Sequence, residues 1–255
     1  MTSPPDSRTR RPSGPTGLRV AAVTLPRRDR GSVAATNVNV ALAVSAARAL
    51  ASAGPDLICL PENFLYDGLA DRRPDRLAVP PDDELIERFA DLARECDALV
   101  AVPFLEAAED GVAYNSVVLL DATGRRLGVY RKQMLWPSNP ELSVLEGGVV
   151  PGLGGAPFDT PFGPVGIRTC LEVQYPQCWS ELAGVVKLVL FPSEQGGGMA
   201  LRARAQETRS FVVSAVGKGG PSAVIDPLGH VAAEWRAETP FPVCDLSLDY
   251  QLVHL

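Results

Sequence analysis

Three residues far apart in the sequence carry groups that could do chemistry together: the carboxyl of Glu62, the amine of Lys132 and the thiol of Cys170. Glu62 closes the run DLICLPE, Lys132 lies in VYRKQML, and Cys170 closes VGIRTC ahead of a turn into a helix. Each would stand beyond the carboxyl end of a strand, the edge where open α/β sheets place their ligands. A cysteine at a strand-to-helix turn suits nucleophilic attack. The turn exposes its sulfur, and the N–H groups that follow can lower the thiol pKa and bind an oxyanion. Singly, each residue has an ordinary alternative: a buried filler cysteine, a loop acid, a solvated lysine beside Arg131. The weight falls on the set.

The segments that must position these groups alternate in character. Leu18 to Leu25 and Asp56 to Leu60 are short apolar runs suited to buried strands, and Ala98 to Val102 is a third. Between them, Thr36 to Ala53 reads as a helix stopped at Gly54-Pro55. A second helix is predicted from Asp82 onward, where Leu85, Phe89, Leu92 and Cys96 recur at helical spacing. This β-α-β-α-β opening favours helices packed on a largely parallel sheet. Tyr114 to Leu120 and Arg126 to Tyr130, joined by Asp121-Ala-Thr-Gly124, read as a hairpin. Val165 to Cys170 and Lys187 to Phe191 read as strands around a short helix near Gln177 to Ala183. A helix from Ala200 to Ser210 and a strand-rich end, with a turn at Asp226 to Gly229, complete the pattern. It predicts one domain, residues 18–255, with two sheets between helical layers.

Composition narrows the classes. The 255 residues are 46% hydrophobic and 21% charged with a net charge of -6, which excludes intrinsic disorder for the body of the chain. An acidic balance gives no general attraction to nucleic acid or to an anionic membrane. No apolar run approaches the roughly 20 residues that span a bilayer. With five scattered cysteines, no C-x-x-C pair and two histidines, a zinc site has little to work with. An odd set of thiols fits a reducing compartment, and residues 1–17, rich in Pro, Ser and Arg, read as a disordered leader lacking the apolar core of a secretory signal. The expectation is a soluble, cytoplasmic protein. Gly147 to Gly155 (GGVVPGLGG) leads to no helix and is not a dinucleotide loop.

Three blocks in order carry a resemblance. PDLICLPENFLYDG, GVYRKQMLWPSNPELSVLEGG and FGPVGIRTCLEVQYPQ are similar to the signature blocks of the nitrilase, or carbon-nitrogen hydrolase, superfamily; LVLFPS, RARAQE and SAVIDPLG agree with it. The resemblance implies an α/β fold, a four-layer α-β-β-α sandwich, with a Glu-Lys-Cys set, no metal and no organic cofactor. It places Glu62 as general base, Lys132 as the family's lysine and Cys170 as nucleophile. The family often adds a second glutamate after the lysine. Glu141 and Glu146 are the two candidates, and the pattern of ELSVLEGG favours Glu141. A homodimer is also implied, although the tail after Asp245 is short. Leu171-Glu172 stands where relatives commonly show an aromatic residue and an acid.

Under this resemblance the chemistry is C–N hydrolysis of a small non-peptide amide through a cysteine thioester. Glu62 takes the thiol proton, while Lys132 and the Leu171 N–H hold the oxyanion. The Lys132 ammonium is expected to lower the thiol pKa. Nitriles and N-carbamoyl compounds would suit the same site. A soluble acyltransferase passing the acyl group to an amine, and a non-catalytic member of the fold, are the alternatives. Trp136 and Glu194 are candidates for substrate contact. Trp179 could line the pocket or the core, and Cys178 is expected to be core.

Overall fold

The computed structural model describes residues 17–108, 111–139, 144–218, 220–239 and 241–250. In chain order the first half comprises β1 (Gly17–Ala22), α1 (Thr36–Leu50), β2 (Leu57–Cys59), α2 (Pro74–Leu77), α3 (Glu84–Cys96), β3 (Leu99–Ala107), β4 (Ala113–Leu120) and β5 (Arg126–Arg131). A small ribbon follows, β6 (Pro137–Asn139) with β7 (Val144–Leu145). The second half comprises β8 (Phe158–Thr160), β9 (Gly163–Ile167), α4 (Pro176–Ser180), β10 (Leu188–Ser193), α5 (Gly198–Thr208), β11 (Phe211–Val216), β12 (Ala223–Ile225), β13 (Val231–Glu234) and β14 (Val243–Ser247). Of the expected leader, Gly17 begins β1 and the remainder lies outside the described residues.

Two six-stranded sheets result, in the orders β14-β1-β2-β3-β4-β5 and β13-β12-β11-β10-β9-β8. Their stacking is written in the period-two alternation of the strands. Ile58, Val100, Val102, Val118 and Leu120 face α1 and α3, where they meet Val40, Ala47, Phe89 and Leu92. Their neighbours Leu57, Cys59, Leu99, Ala101, Val117 and Leu119 face the other way, onto Val165, Ile167, Leu188, Leu190 and Val213 of the second sheet. Val189, Phe191 and Val212 on that sheet's far face pack against Trp179, Leu182, Leu201 and Ala205. Helices, sheet, sheet and helices thus form the four-layer α-β-β-α sandwich that the resemblance implies. Strands covered on both faces must be apolar throughout, which is why they read as unbroken runs.

The sheets are mixed rather than largely parallel. In each, one central strand has parallel neighbours on both sides, β2 between β1 and β3 and β10 between β9 and β11, and the remaining pairs are antiparallel. A hairpin needs only a short turn, so β4 and β5 extend the first sheet without another helix. Here Asp121 closes the predicted turn, its carbonyl accepting the Gly124 N–H at 2.8 Å. The final strand, β14, runs antiparallel to β1 from Val243 against Ala21 to Ser247 against Gly17. Helix α3 starts where expected. The Asp83 carboxylate accepts the Leu85 N–H at 2.8 Å, and Asp97 closes the helix in the left-handed region at φ 50°.

Candidate active site

Three strands, β2, β5 and β9, deliver the reactive groups to one cavity. Glu62 follows β2, Lys132 directly follows β5, and Cys170 opens a 3-10 turn (Cys170–Gln174) after β9. All three line a single cavity of about 580 Å³. Strand β9 ends at Ile167, earlier than predicted, so Cys170 sits beyond it on the turn itself.

Lys132 is fixed from both ends. Its N–H donates to the Asn115 carbonyl at 2.9 Å, and its carbonyl accepts the Gly152 N–H at 2.7 Å. A Cβ at position 152 would lie 2.3 Å from Arg131 Cβ, so only glycine lets this strap close. The glycine-rich segment is therefore a clasp over the end of β5. At its tip the Lys132 ammonium, 1% exposed, lies 2.8 Å from Glu62 Oε1 and also bonds Glu146 Oε1. Asn115 Nδ2 lies 2.9 Å from both Glu62 Oε1 and Glu146 Oε2, and the Glu194 N–H reaches Glu62 Oε2 at 3.1 Å. Glu194 in turn is held by Asn63 Nδ2 at 3.2 Å and by Lys218.

Glu146 thus stands in the charged cluster, beside Lys132. Glu141, which the sequence pattern favours for that place, lies outside the described residues.

Backbone strain gathers here. The non-glycine residues at positive φ among the described residues are Asn63, Glu146, Cys170 and Lys218, together with Asp97 and Arg209, which cap α3 and α5. Asn63, Glu146 and Cys170 (φ 46°) line the cavity, and Lys218 pairs with Glu194 on its wall. Such conformations persist only where surrounding structure holds them, and they concentrate at functional sites.

Electrostatics follows from burial. The Glu62 carboxyl is pushed above the ordinary range by desolvation, with Glu146 and Glu194 adding to the rise and Lys132 opposing it. Burial works against the Lys132 charge, but Glu62, Glu146 and Cys170 together outweigh it and hold the ammonium above its usual range. Lys132 is a fixed cation. The Cys170 thiol is pushed up to about 12, first by burial and then by the Glu62 charge, with Lys132, Ser193 and the Glu194 backbone pulling down. Lys132 pulls the thiol down as expected, but one ammonium shared by two carboxylates does not offset the desolvation of sulfur, so the net shift is upward.

The turn that carries Cys170 is anchored by Glu172. Its carboxylate accepts the Thr169 N–H at 2.6 Å, the Tyr130 hydroxyl at 2.7 Å and the Gln133 N–H at 2.8 Å. Trp179 is fully buried, its indole N–H donating to the Glu172 carbonyl at 2.9 Å, so it belongs to the core. Cys178 is buried there too. Trp136, 60% exposed, and Glu194 line the cavity, as does Leu171. Leu171 follows Cys170 in the first turn, where N–H groups have no partner within the helix. Among the described residues no cluster of histidine, cysteine and carboxylate side chains is arranged to hold a metal ion, and no helix is long and apolar enough to cross a membrane.

The carbon-nitrogen hydrolase profile matches residues 19–252. The chain belongs to the carbon-nitrogen hydrolase family. This carbon-nitrogen hydrolase is 29% identical over 233 residues to the deaminated glutathione amidase of Homo sapiens, covering 80% of this chain and 70% of that one. It is 28% identical over 220 residues to the Caenorhabditis elegans fusion protein NitFhit, covering 76% of this chain and 50% of that one, so it spans about half of the fusion's length. The NitFhit crystal structure shares its fold with a TM-score of 0.78 at 21% identity, over 91% of this chain and 61% of that one. An amidase from Nesterenkonia sp. gives a TM-score of 0.73 at 23% identity, over 91% of each chain. A mutant of the Nesterenkonia enzyme carries the acetamide moiety of fluoroacetamide covalently on its active-site cysteine. Within the carbon-nitrogen hydrolase site described here, Asn115 was not flagged by sequence reasoning, and Glu172 was noted only as the acid two places after Cys170, not as the anchor of its turn. The register of β4 against β5, Ser116 facing Arg131, is what sets Asn115 beside Lys132.

Proposed function

We propose that the chain hydrolyses the C–N bond of a small, non-peptide amide through a thioester on Cys170. The observation that carries this reading is the shared cavity of Cys170, Lys132 and Glu62, with the carboxylate 2.8 Å from the ammonium. Amidases among its relatives, and the covalent adduct on the Nesterenkonia cysteine, support the same class.

The Cys170 sulfur attacks the amide carbon while Glu62 takes the thiol proton. With the thiol near 12, proton transfer accompanies attack, since a free thiolate would be rare at neutral pH. The carbonyl oxygen becomes an oxyanion held by the Lys132 ammonium and the Leu171 N–H; loss of such a stabiliser typically costs about 2.7–4 kcal/mol. The C–N bond breaks as Glu62 returns its proton to the leaving amine. Water then attacks the thioester, giving its proton to Glu62, and the acid leaves as the thiol is restored. Glu146 and Asn115 hold Lys132 and Glu62 in register for both halves.

Ammonia release from a panel of small amides, nitriles and N-carbamoyl compounds tests the reading. Turnover of amides by the wild type, abolished in Cys170→Ala, is the expected result; undiminished turnover in Cys170→Ala would refute it.

A further inference from the structure

One cation on the cavity wall has no task in that chemistry. Arg72 lies on the loop that leaves Glu62, and it lines the cavity with Tyr66, Pro74 and Leu105. Its Nη2 donates to Asp67 Oδ1 at 3.0 Å. Asp67 is itself immobilised. Its Oδ2 accepts the Arg28 N–H at 2.8 Å and its carbonyl accepts Asn39 Nδ2 at 2.8 Å. Arg72 lines the cavity and Asp67 does not, so the ion pair holds the guanidinium at the cavity wall through Nη2.

Arg72 Nε is buried and has no hydrogen-bond partner among the described residues. A buried donor on a charged group is costly to leave unmatched. Lys132 is shared by two carboxylates of the cavity, Glu62 and Glu146, and Lys218 is paired with a third, Glu194, whereas the carboxylate that pairs with Arg72, Asp67, lies outside the lining. Arg72 therefore offers the planar fork that suits a carboxylate, pre-oriented by Asp67 and flanked by apolar walls. A volume of about 580 Å³ also holds far more than a two-carbon amide.

We infer that Arg72 is a specificity-determining residue that binds a carboxylate of the substrate, so that the preferred amides carry a free acid group remote from the scissile C–N bond. The inference rests on the amidase reading for its substrate class, while the binding it describes does not depend on turnover.

The test uses monoamides of straight-chain dicarboxylic acids, from succinic to suberic, beside their methyl esters. At the best chain length, kcat/KM for ammonia release favours the free acid by roughly ten- to hundredfold. In Arg72→Gln that ratio falls toward one, through KM rather than kcat. Arg72→Lys, which keeps the charge and loses the fork, retains part of it. Calorimetry on Cys170→Ala gives a readout free of turnover: the acids bind more tightly than their esters, and adding Arg72→Gln removes the difference. If that pattern holds while no amide is turned over, the subsite stands and the hydrolase reading fails. If esters match acids at every length, or Arg72→Gln leaves the acid preference intact, the inference is overturned and the hydrolase reading is untouched.

Discussion

The Glu172 carboxylate accepts the Gln133 N–H at 2.8 Å. That bond joins the turn bearing Cys170 to the residue next to Lys132, across the gap between the two sheets. With the Tyr130 hydroxyl and the Thr169 N–H on the same carboxylate, Glu172 is a brace between two of the three reactive groups. Glu172→Gln turns an NH2 toward donors that need an acceptor. We expect a loss of about 1–3 kcal/mol in unfolding free energy and a fall in kcat larger than any change in KM. Urea unfolding and steady-state kinetics check it, and a variant as stable and active as wild type would show that the brace does nothing.

Much of this was legible in the sequence, for reasons particular residues make plain. Leu57 to Cys59 and Leu188 to Phe191 are apolar on both faces because both faces are covered, so the central strands stood out. Glu62 was found because it follows such a strand, Lys132 because it follows the hairpin and Cys170 because it closes a predicted strand ahead of a turn, with the three blocks in order tying them together. What was hidden depends on register and on tertiary partners. Asn115 looks like any strand residue until β4 is set against β5. Glu146 and Glu141 compete within one loop, and only coordinates put Glu146 on Lys132. Strand β14 carries weak signals, with Asp245 and Ser247 exposed, and pairs with β1 from the far end of the chain. The raised thiol of Cys170 reflects desolvation, which spacing does not report.

That thiol makes its own prediction. Burial and the Glu62 charge push the Cys170 thiol up to about 12, so a protonated sulfur is the expected resting form. Thiolate absorbance near 240 nm, taken as the difference between wild type and Cys170→Ala, is expected to show no step between about pH 5 and pH 9. A step centred below pH 8 would mean a preformed thiolate and would remove the need for Glu62 as proton acceptor.

Lys132 balances two carboxylates in a buried site. Lys132→Met leaves both without their cation, and breaking a buried pair in this way costs about 3–5 kcal/mol. The second substitution Glu62→Gln is expected to restore part of that stability and none of the activity. Thermal melts of the two variants decide it. Equal melting points for Lys132→Met and wild type would contradict the charge cluster.

Two variants decide which residue is the second glutamate. Glu146 bonds Lys132 and, through Asn115, stays in register with Glu62. Glu146→Gln is expected to slow turnover by roughly a hundredfold, the scale of about 2.7 kcal/mol for a displaced stabilising group. Glu141→Gln is expected to keep near wild-type rates. The reverse ranking would return the role to Glu141.

The most direct test of the account is the mass of the protein itself during turnover. Acid-quenched in the steady state with a small amide, the wild-type chain should carry the acyl fragment of that amide on the peptide containing Cys170, and Cys170→Ala should carry nothing. Steady turnover with no adduct at Cys170 under any quench time, or an adduct on a different residue, would contradict the thioester on which the proposed mechanism depends.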